Sequence, residues 1–264
     1  MTETVRWELD GAVATITLNR PAALNALTTE MKTALLGALR QAGSSPEVRA
    51  VLLTGAGQAF CAGQDLREHA GLLDAAAGGQ AALDTVREHY NPIVTAITSM
   101  PKPVIAAVNG MAAGAGASLA FACDLRIAAR RASFLMAFAR VGLAADSGAS
   151  WTLPRLAGAG RAAELLLLAE PVPAARALEL GLVNSVVDDA GLAGAARSLA
   201  ARMAAGPTAA YAGIKEQLRY SAEHSLAESL EKEAEVQTAL GGTKDHQAAT
   251  LAFTRKEKPT FQGR

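Results

Sequence analysis

The chain of 264 residues holds little of what marks many binding or scaffold proteins by composition alone. It has 2 cysteines, Cys61 and Cys123, too few for a disulfide framework or a zinc site built from Cys-x-x-Cys pairs. Aromatic residues make up 4%, which leaves few stacking platforms for single-stranded nucleic acid. Lys plus Arg and Asp plus Glu number 25 each, so no net field gathers a polyanion or an anionic membrane surface. Neither nucleic acid nor membrane is an expected partner. No apolar run approaches the roughly 18 residues of a membrane span; the nearest, residues 165–169, sits between Glu164 and Glu170. Met1-Thr-Glu-Thr-Val-Arg-Trp7 lacks the basic and then apolar layout of a signal peptide. These absences together predict a cytoplasmic protein with reduced thiols.

Hydrophobic residues make up 50% of the chain, enough for a sizeable core. Residues 13–18 alternate in polarity and are rich in β-branched side chains, which predicts a strand. Thr28 then caps a helix over 29–40. Residues 48–54 and the wholly apolar 104–108 predict two more strands, with a helical stretch around 81–100 between them that Pro101 and Pro103 close. A helix over 115–122 and strands at 125–128 and 134–138 follow. Strands alternating with helices at this spacing predict an α/β core. From about Leu192 the strand signal disappears. Leu226, Leu230, Ala234 and Leu240 predict an amphipathic helix, and Gly241-Gly242 separates it from a last short helix over 245–255.

Several familiar sites are missing. Gly114-Ala-Gly116 follows a strand and opens a helix, but Leu119 stands where a dinucleotide fingerprint needs its third glycine. Gly158-Ala-Gly160-Arg-Ala-Ala163 fits that spacing better, yet Pro154 ahead of it argues against a central strand. No Gly-x-x-x-x-Gly-Lys and no Gly-x-Ser-x-Gly occurs. His69, His89, His224 and His246 lie on polar stretches without metal-ligand spacing and are expected to be surface side chains. Acid–base chemistry, if there is any, therefore falls on carboxylates.

Two loop-to-helix junctions remain, Phe60-Cys-Ala-Gly-Gln-Asp-Leu66 and Asn109-Gly-Met-Ala-Ala-Gly-Ala-Gly-Ala-Ser118. Both place small residues where backbone approaches something closely, and both present free N–H groups at a helix start. Close helix packing alone accounts for either one. The two together can form an oxyanion hole.

These junctions, with Asn19-Arg-Pro-Ala-Ala-Leu-Asn-Ala26, Lys102-Pro-Val-Ile-Ala-Ala-Val-Asn-Gly110 and Gly142-Leu-Ala-Ala-Asp-Ser-Gly148 in this order, resemble the enoyl-CoA hydratase/isomerase (crotonase) superfamily. The resemblance extends to Ala-Leu-Glu-Leu-Gly-Leu-Val at 177–183 and Lys258-Pro-Thr-Phe261. It implies an α/β spiral of ββα units binding an acyl-CoA over 1–200. A helical segment over 201–264 would then assemble a homotrimer or a dimer of trimers. No metal or redox cofactor is implied, coenzyme A being part of the substrate.

By motif, the resemblance assigns the oxyanion donors to the N–H groups of Gln64 and Ala115. Ala62, Gln64, Asp65, Leu66, Arg67, Gly114, Ala115 and Gly116 become substrate-binding, with Ala62 and Leu66 flanking the CoA and Asp65 bracing its loop. Hydratases of the family carry two glutamates where this chain has Ser118 and Phe138, and neither of these side chains can place and split water. One acid remains, Asp146, as in the epoxyphenylacetyl-CoA isomerases of phenylacetate catabolism. Met111–Ala120, Phe134–Gly142 and Ser150–Arg155 also look like that subgroup.

A lone carboxylate suits proton shuttling: it takes a proton from one carbon and returns it to another two bonds away. Leu143, Ala144 and Ala145 should raise its pKa. The expected activity is an acyl-CoA isomerase acting on 1,2-epoxyphenylacetyl-CoA or shifting a 3-enoyl double bond to the 2 position, as in fatty-acid metabolism. Three alternatives stand beside it: a helix-capping role for Asp146, a hydratase or thioesterase of the same fold, and a non-catalytic acyl-CoA-binding protein. A glycine-containing wall of the acyl pocket is expected at 70–82.

Overall fold

A computed structural model describes residues 3–75 and 80–264. The chain opens with an antiparallel hairpin of β1 (Val5–Asp10) and β2 (Val13–Leu18). β1 is an edge strand that the sequence analysis does not include, although Val5-Arg-Trp-Glu-Leu-Asp10 alternates strictly between apolar and charged residues; Val5 alone of the six is fully buried. Helix α1 (Thr29–Ser44) begins where expected, the Thr28 hydroxyl accepting the Met31 N–H at 3.3 Å. It runs past the expected end at Arg40. Met31, Leu35, Leu39 and Ala42 form its buried stripe, and Lys32 is buried with them.

The chain then repeats one unit: a strand joins a large sheet, a short strand joins a small sheet, and helix returns. The first unit is β3 (Ala50–Gly55), β4 (Ala59–Cys61), α2 (Leu66–Ala75), α3 (Gln80–Thr85), a π turn at Val86–Tyr90 and α4 (Asn91–Ser99). The second is β5 (Val104–Val108), β6 (Met111–Ala113) and α5 (Ala115–Ala122). The third is β7 (Leu125–Ala129), β8 (Ser133–Leu135), a 3-10 turn at Ala137–Val141, α6 (Ala149–Ala157) and α7 (Ala159–Leu168). Next come β9 (Val172–Pro173), α8 (Ala174–Glu179), β10 (Ser185–Val187) and α9 (Leu192–Ala204).

The large sheet has the order β1-β2-β3-β5-β7-β10 and the small one β4-β6-β8-β9. From β2 onward the large sheet is parallel, as are β4, β6 and β8. The carboxyl ends of β4, β6 and β8 therefore lie side by side. In open parallel sheets ligands bind at such ends, and here they launch residues 62–65, Gly114 and residues 136–148. Every residue of α5 is buried, which its run of alanine, glycine and serine permits beside the sheets.

One expectation changes and another holds. The strand forecast over 134–138 stops at Leu135, because Met136, at φ −85° and ψ 72°, leads into the 3-10 turn to which Phe138 belongs. The segment holding Pro154 is α6, and Gly158 leads directly from α6 into α7, so no strand precedes the Gly-x-Gly at 158–160.

Helix α9 packs against the large sheet through Leu192, Ala196, Ala200 and Ala204. A division at 200/201 thus falls inside its last turn, and the chain leaves the sheet at Gly206-Pro207. Three helices follow: α10 (Thr208–Ser221), α11 (Leu226–Gly241) and α12 (Lys244–Arg255). Arg49 beside β3 ties them back, donating to Thr208 Oγ1 at 2.9 Å and to the Phe261 carbonyl at 3.1 Å. Ile214, Leu218, Leu226, Leu230, Leu251 and Phe253 stay exposed, Phe253 at 84%. Among the described residues no helix is long and apolar enough to cross a membrane.

Candidate active site

The loops after β4, β6 and β8 enclose a cavity of about 120 Å³. Gly63, with φ +87°, and Gly114, with φ +50° and ψ −124°, hold backbone conformations that glycine reaches at little cost. A Cβ on Gly63 would lie 2.7 Å from the Ala113 carbonyl and 3.5 Å from the Ala115 nitrogen. The two junctions are thus in direct contact, and only a residue without a side chain fits between them.

Peptide geometry fixes where their amides point. The Gly63 carbonyl accepts the Leu27 N–H at 2.7 Å, so across the trans peptide the Gln64 N–H faces the opposite way, away from Leu27. The Gly114 carbonyl accepts the Ser118 N–H at 3.0 Å and the Ser118 hydroxyl at 3.1 Å. The Ala115 N–H accordingly points back out of the start of α5. Among the described residues neither amide donates to a protein acceptor. Gln64 and Ala115 both line the cavity, where a pair of preorganised donors can stabilise an oxyanion.

Ala62, Leu66, Gly114 and Asp146 also line it; Asp65, Arg67 and Gly116 do not. The Asp65 carboxylate is occupied elsewhere. It takes the Arg20 guanidinium at 2.9 Å and the N–H groups of Arg67 and Glu68 at 3.1 and 3.2 Å, which caps α2. Burial alone would push its pKa up, but the Arg20 hydrogen bond and the two amides hold it below the usual carboxylate value. Arg67 is exposed beside it. Gly116 faces β4 instead, where a Cβ would meet the Cys61 carbonyl at 2.3 Å.

Asp146 does not cap α6. The N-cap is Gly148, without a side-chain cap bond, and Ser147 and Gly148 both take left-handed φ, +52° and +78°, between the aspartate and the helix. Its Oδ1 accepts the Ser147 hydroxyl at 2.8 Å. Burial pushes its pKa above the ordinary aspartate value, opposed by the Ser147 hydrogen bond and the charge of Lys32. Among the described lining residues it is the one carboxylate. Phe138 lines the same cavity, whereas Ser118 is fully buried beneath the helix start.

Three side chains were not singled out by sequence. His69 lines the cavity rather than the surface expected of it, and its Nδ1 is the one buried side-chain polar atom without a partner among the described residues. Its spacing on α2, three residues after Leu66 and three before Leu72, is the available signal. Tyr90 donates to Gln64 Oε1 at 2.6 Å, and Lys32 donates to the same oxygen at 3.2 Å. Lys32 precedes Leu35 by three and Leu39 by seven, so helical periodicity alone puts it on the buried stripe. The wall expected at 70–82 lies partly outside the described residues; its described ends belong to α2 and α3.

The enoyl-CoA hydratase/isomerase family matches residues 8–264. The chain belongs to this family. A probable enoyl-CoA hydratase of Rhodobacter capsulatus is 43% identical over 99% of this chain and 98% of its own length. A 1,2-epoxyphenylacetyl-CoA isomerase of Escherichia coli is 41% identical over the whole of both chains. A crystal structure from Mycobacterium abscessus, described as an enoyl-CoA hydratase/isomerase, matches with TM-score 0.94 and 49% identity over 98% of this chain and all of the other. The fold is the crotonase-type α/β fold, and family members are enzymes acting on acyl-CoA thioesters.

Proposed function

We propose that this enoyl-CoA hydratase/isomerase family member is an acyl-CoA isomerase in which Asp146 shuttles a proton beneath the paired amides of Gln64 and Ala115. The observation that carries this reading is Asp146 itself: the one carboxylate among the described lining residues, with burial raising its pKa and no capping duty. For a 3-enoyl-CoA, the carboxylate takes a proton from C2, electron density moves onto the thioester oxygen held by the two N–H groups, and the proton returns at C4 to leave the 2-enoyl-CoA. Removing one such oxyanion donor costs about 2.7–4 kcal/mol in a measured enzyme. The sequence match to an epoxyphenylacetyl-CoA isomerase supports 1,2-epoxyphenylacetyl-CoA as the other substrate. Leu66, Val141 and Leu143 form an exposed apolar rim suited to an acyl chain. The proton shuttle itself calls on no further cofactor.

The match to a probable hydratase favours hydration as the second reading; Ser118 and Phe138, at the positions of the hydratase glutamates, weigh against it. The exposed apolar side chains of α10 to α12 support a homotrimer or dimer of trimers built through the segment after residue 200. Phenylacetate or fatty-acid catabolism in the cytoplasm is the setting this activity fits.

The test is the absorbance rise of a conjugated enoyl thioester when the protein meets a 3-enoyl-CoA, with loss of epoxyphenylacetyl-CoA as a second assay. Turnover in either assay should fall about 10²–10⁴-fold in Asp146→Asn with CoA-ester binding retained. Binding without turnover of either substrate by the unmodified protein overturns the isomerase reading.

A further inference from the structure

We propose that Lys32 is a positioning residue for the isomerisation: its buried ammonium holds the Gln64 and Thr85 side chains at the cavity wall and stands as counter-charge to Asp146. This rests on the isomerase reading above. Lys32 is 1% exposed, and an ammonium so placed is costly unless partners meet it. Its Nζ donates to Gln64 Oε1 and to Thr85 Oγ1, and lies 5.1 Å from the centre of the Tyr90 ring. Gln64, Thr85 and Tyr90 all line the cavity, whereas Lys32 stands behind them. Tyr90 closes the arrangement from the other side by donating to the same Gln64 oxygen. Held by two donors at its end and by the Leu27 bridge along its backbone, Gln64 has little freedom to swing its N–H away from an oxyanion.

The electrostatic half follows from what faces Asp146. Lys32 from α1 and Tyr90 from the π turn lie within its field, and His69 from α2 shares the cavity. Glu68 of α2 also acts on Lys32 and is held by the Thr29 N–H. Burial keeps Tyr90 and Cys61 neutral. The Lys32 ammonium favours the proton-accepting form of Asp146 against the burial that disfavours it.

The experiment compares Lys32→Met, Lys32→Gln and Lys32→Arg with the unmodified protein and Asp146→Asn, measuring kcat, KM and the pH profile of kcat/KM on whichever substrate turns over. Lys32→Met and Lys32→Gln should lower kcat about tenfold or more with KM little changed, and should move the acid limb of the profile to higher pH. Lys32→Arg should return the limb toward its original position. Lys32→Gln, which keeps a hydrogen-bonding end group, serves if Lys32→Met does not fold. A folded, neutral Lys32 variant with unchanged kcat and acid limb overturns the proposal while Asp146→Asn stays inactive. Full activity in Asp146→Asn overturns the isomerase reading itself.

Discussion

One wall of the cavity presents main-chain N–H groups, those of Gln64 and Ala115, and another presents side chains, the Asp146 carboxylate and Tyr90, with Lys32 behind the lining. On the amide wall, what matters is the absence of side chains. Gly63 and Gly116 let β4 and α5 approach until backbone touches backbone, and each donor's direction follows from where the preceding carbonyl is bound. On the carboxylate wall, side chains from α1, the π turn and the loop after β8 must arrive together. The first wall is made rigid by hydrogen bonds that any folded chain needs. The second holds an ionisable group in a setting that disfavours its charge.

The largest test of this contrast is Gly63→Ala. At φ +87° the added methyl is strained, and it would lie 2.7 Å from the Ala113 carbonyl. The loop must move, carrying the Gln64 N–H with it. If the amide wall works by preorganisation, kcat should fall about 10²–10³-fold, the cost of losing one oxyanion donor. The fold should survive at a cost of about 1–3 kcal/mol. Steady-state kinetics beside a thermal melt measure both, and near-normal kcat would mean that the amides do not act on the substrate.

The two walls also differ in how far each is legible in the sequence. Gly114-Ala-Gly116 and Ala62-Gly-Gln64 announce themselves as small residues at helix starts, and the helix over 115–122 is where the sequence put it. Asp146 stood out because it is the remaining acid in its motif. Lys32 does not, although its place three before Leu35 marks it as buried, because lysine is almost never fully buried unless paired. The polar neighbours of His69 point to the surface, while its spacing from Leu66 points to the cavity it lines. What lay hidden was contact between elements far apart in the chain: nothing local to residue 32 says that Gln64, 32 positions on, will accept its hydrogen bond.

A smaller effect separates bracing from chemistry within the amide wall. Asp65→Ala removes the cap of α2 and leaves the Arg20 guanidinium without its partner. The expected loss is about 1–2 kcal/mol of stability, seen in denaturant unfolding, with kcat falling far less than in Gly63→Ala. The native pKa of Asp65 is depressed, so its contribution is present above the usual carboxylate pKa and disappears as pH falls through the lowered value. The stability gap between unmodified protein and variant should therefore close in acid. A kcat loss as large as that of Gly63→Ala would instead place Asp65 in the chemistry.

The smallest expected effect has the opposite sign and belongs to the carboxylate wall. Asp146 has a raised native pKa, so between the unfolded value and the raised one the folded state binds more protons than the unfolded state. Stability from this group is complete below the unfolded pKa and declines as pH rises through the native one. At neutral pH its charge is a standing cost to the fold, and Asp146→Asn, which keeps the shape without the charge, should melt at or slightly above the unmodified protein while losing its turnover. A group kept against stability is best explained by the reaction it serves. A clear drop in melting temperature would mean that Asp146 instead supports the loop between β8 and α6, and the contrast between the two walls would fail at its central residue.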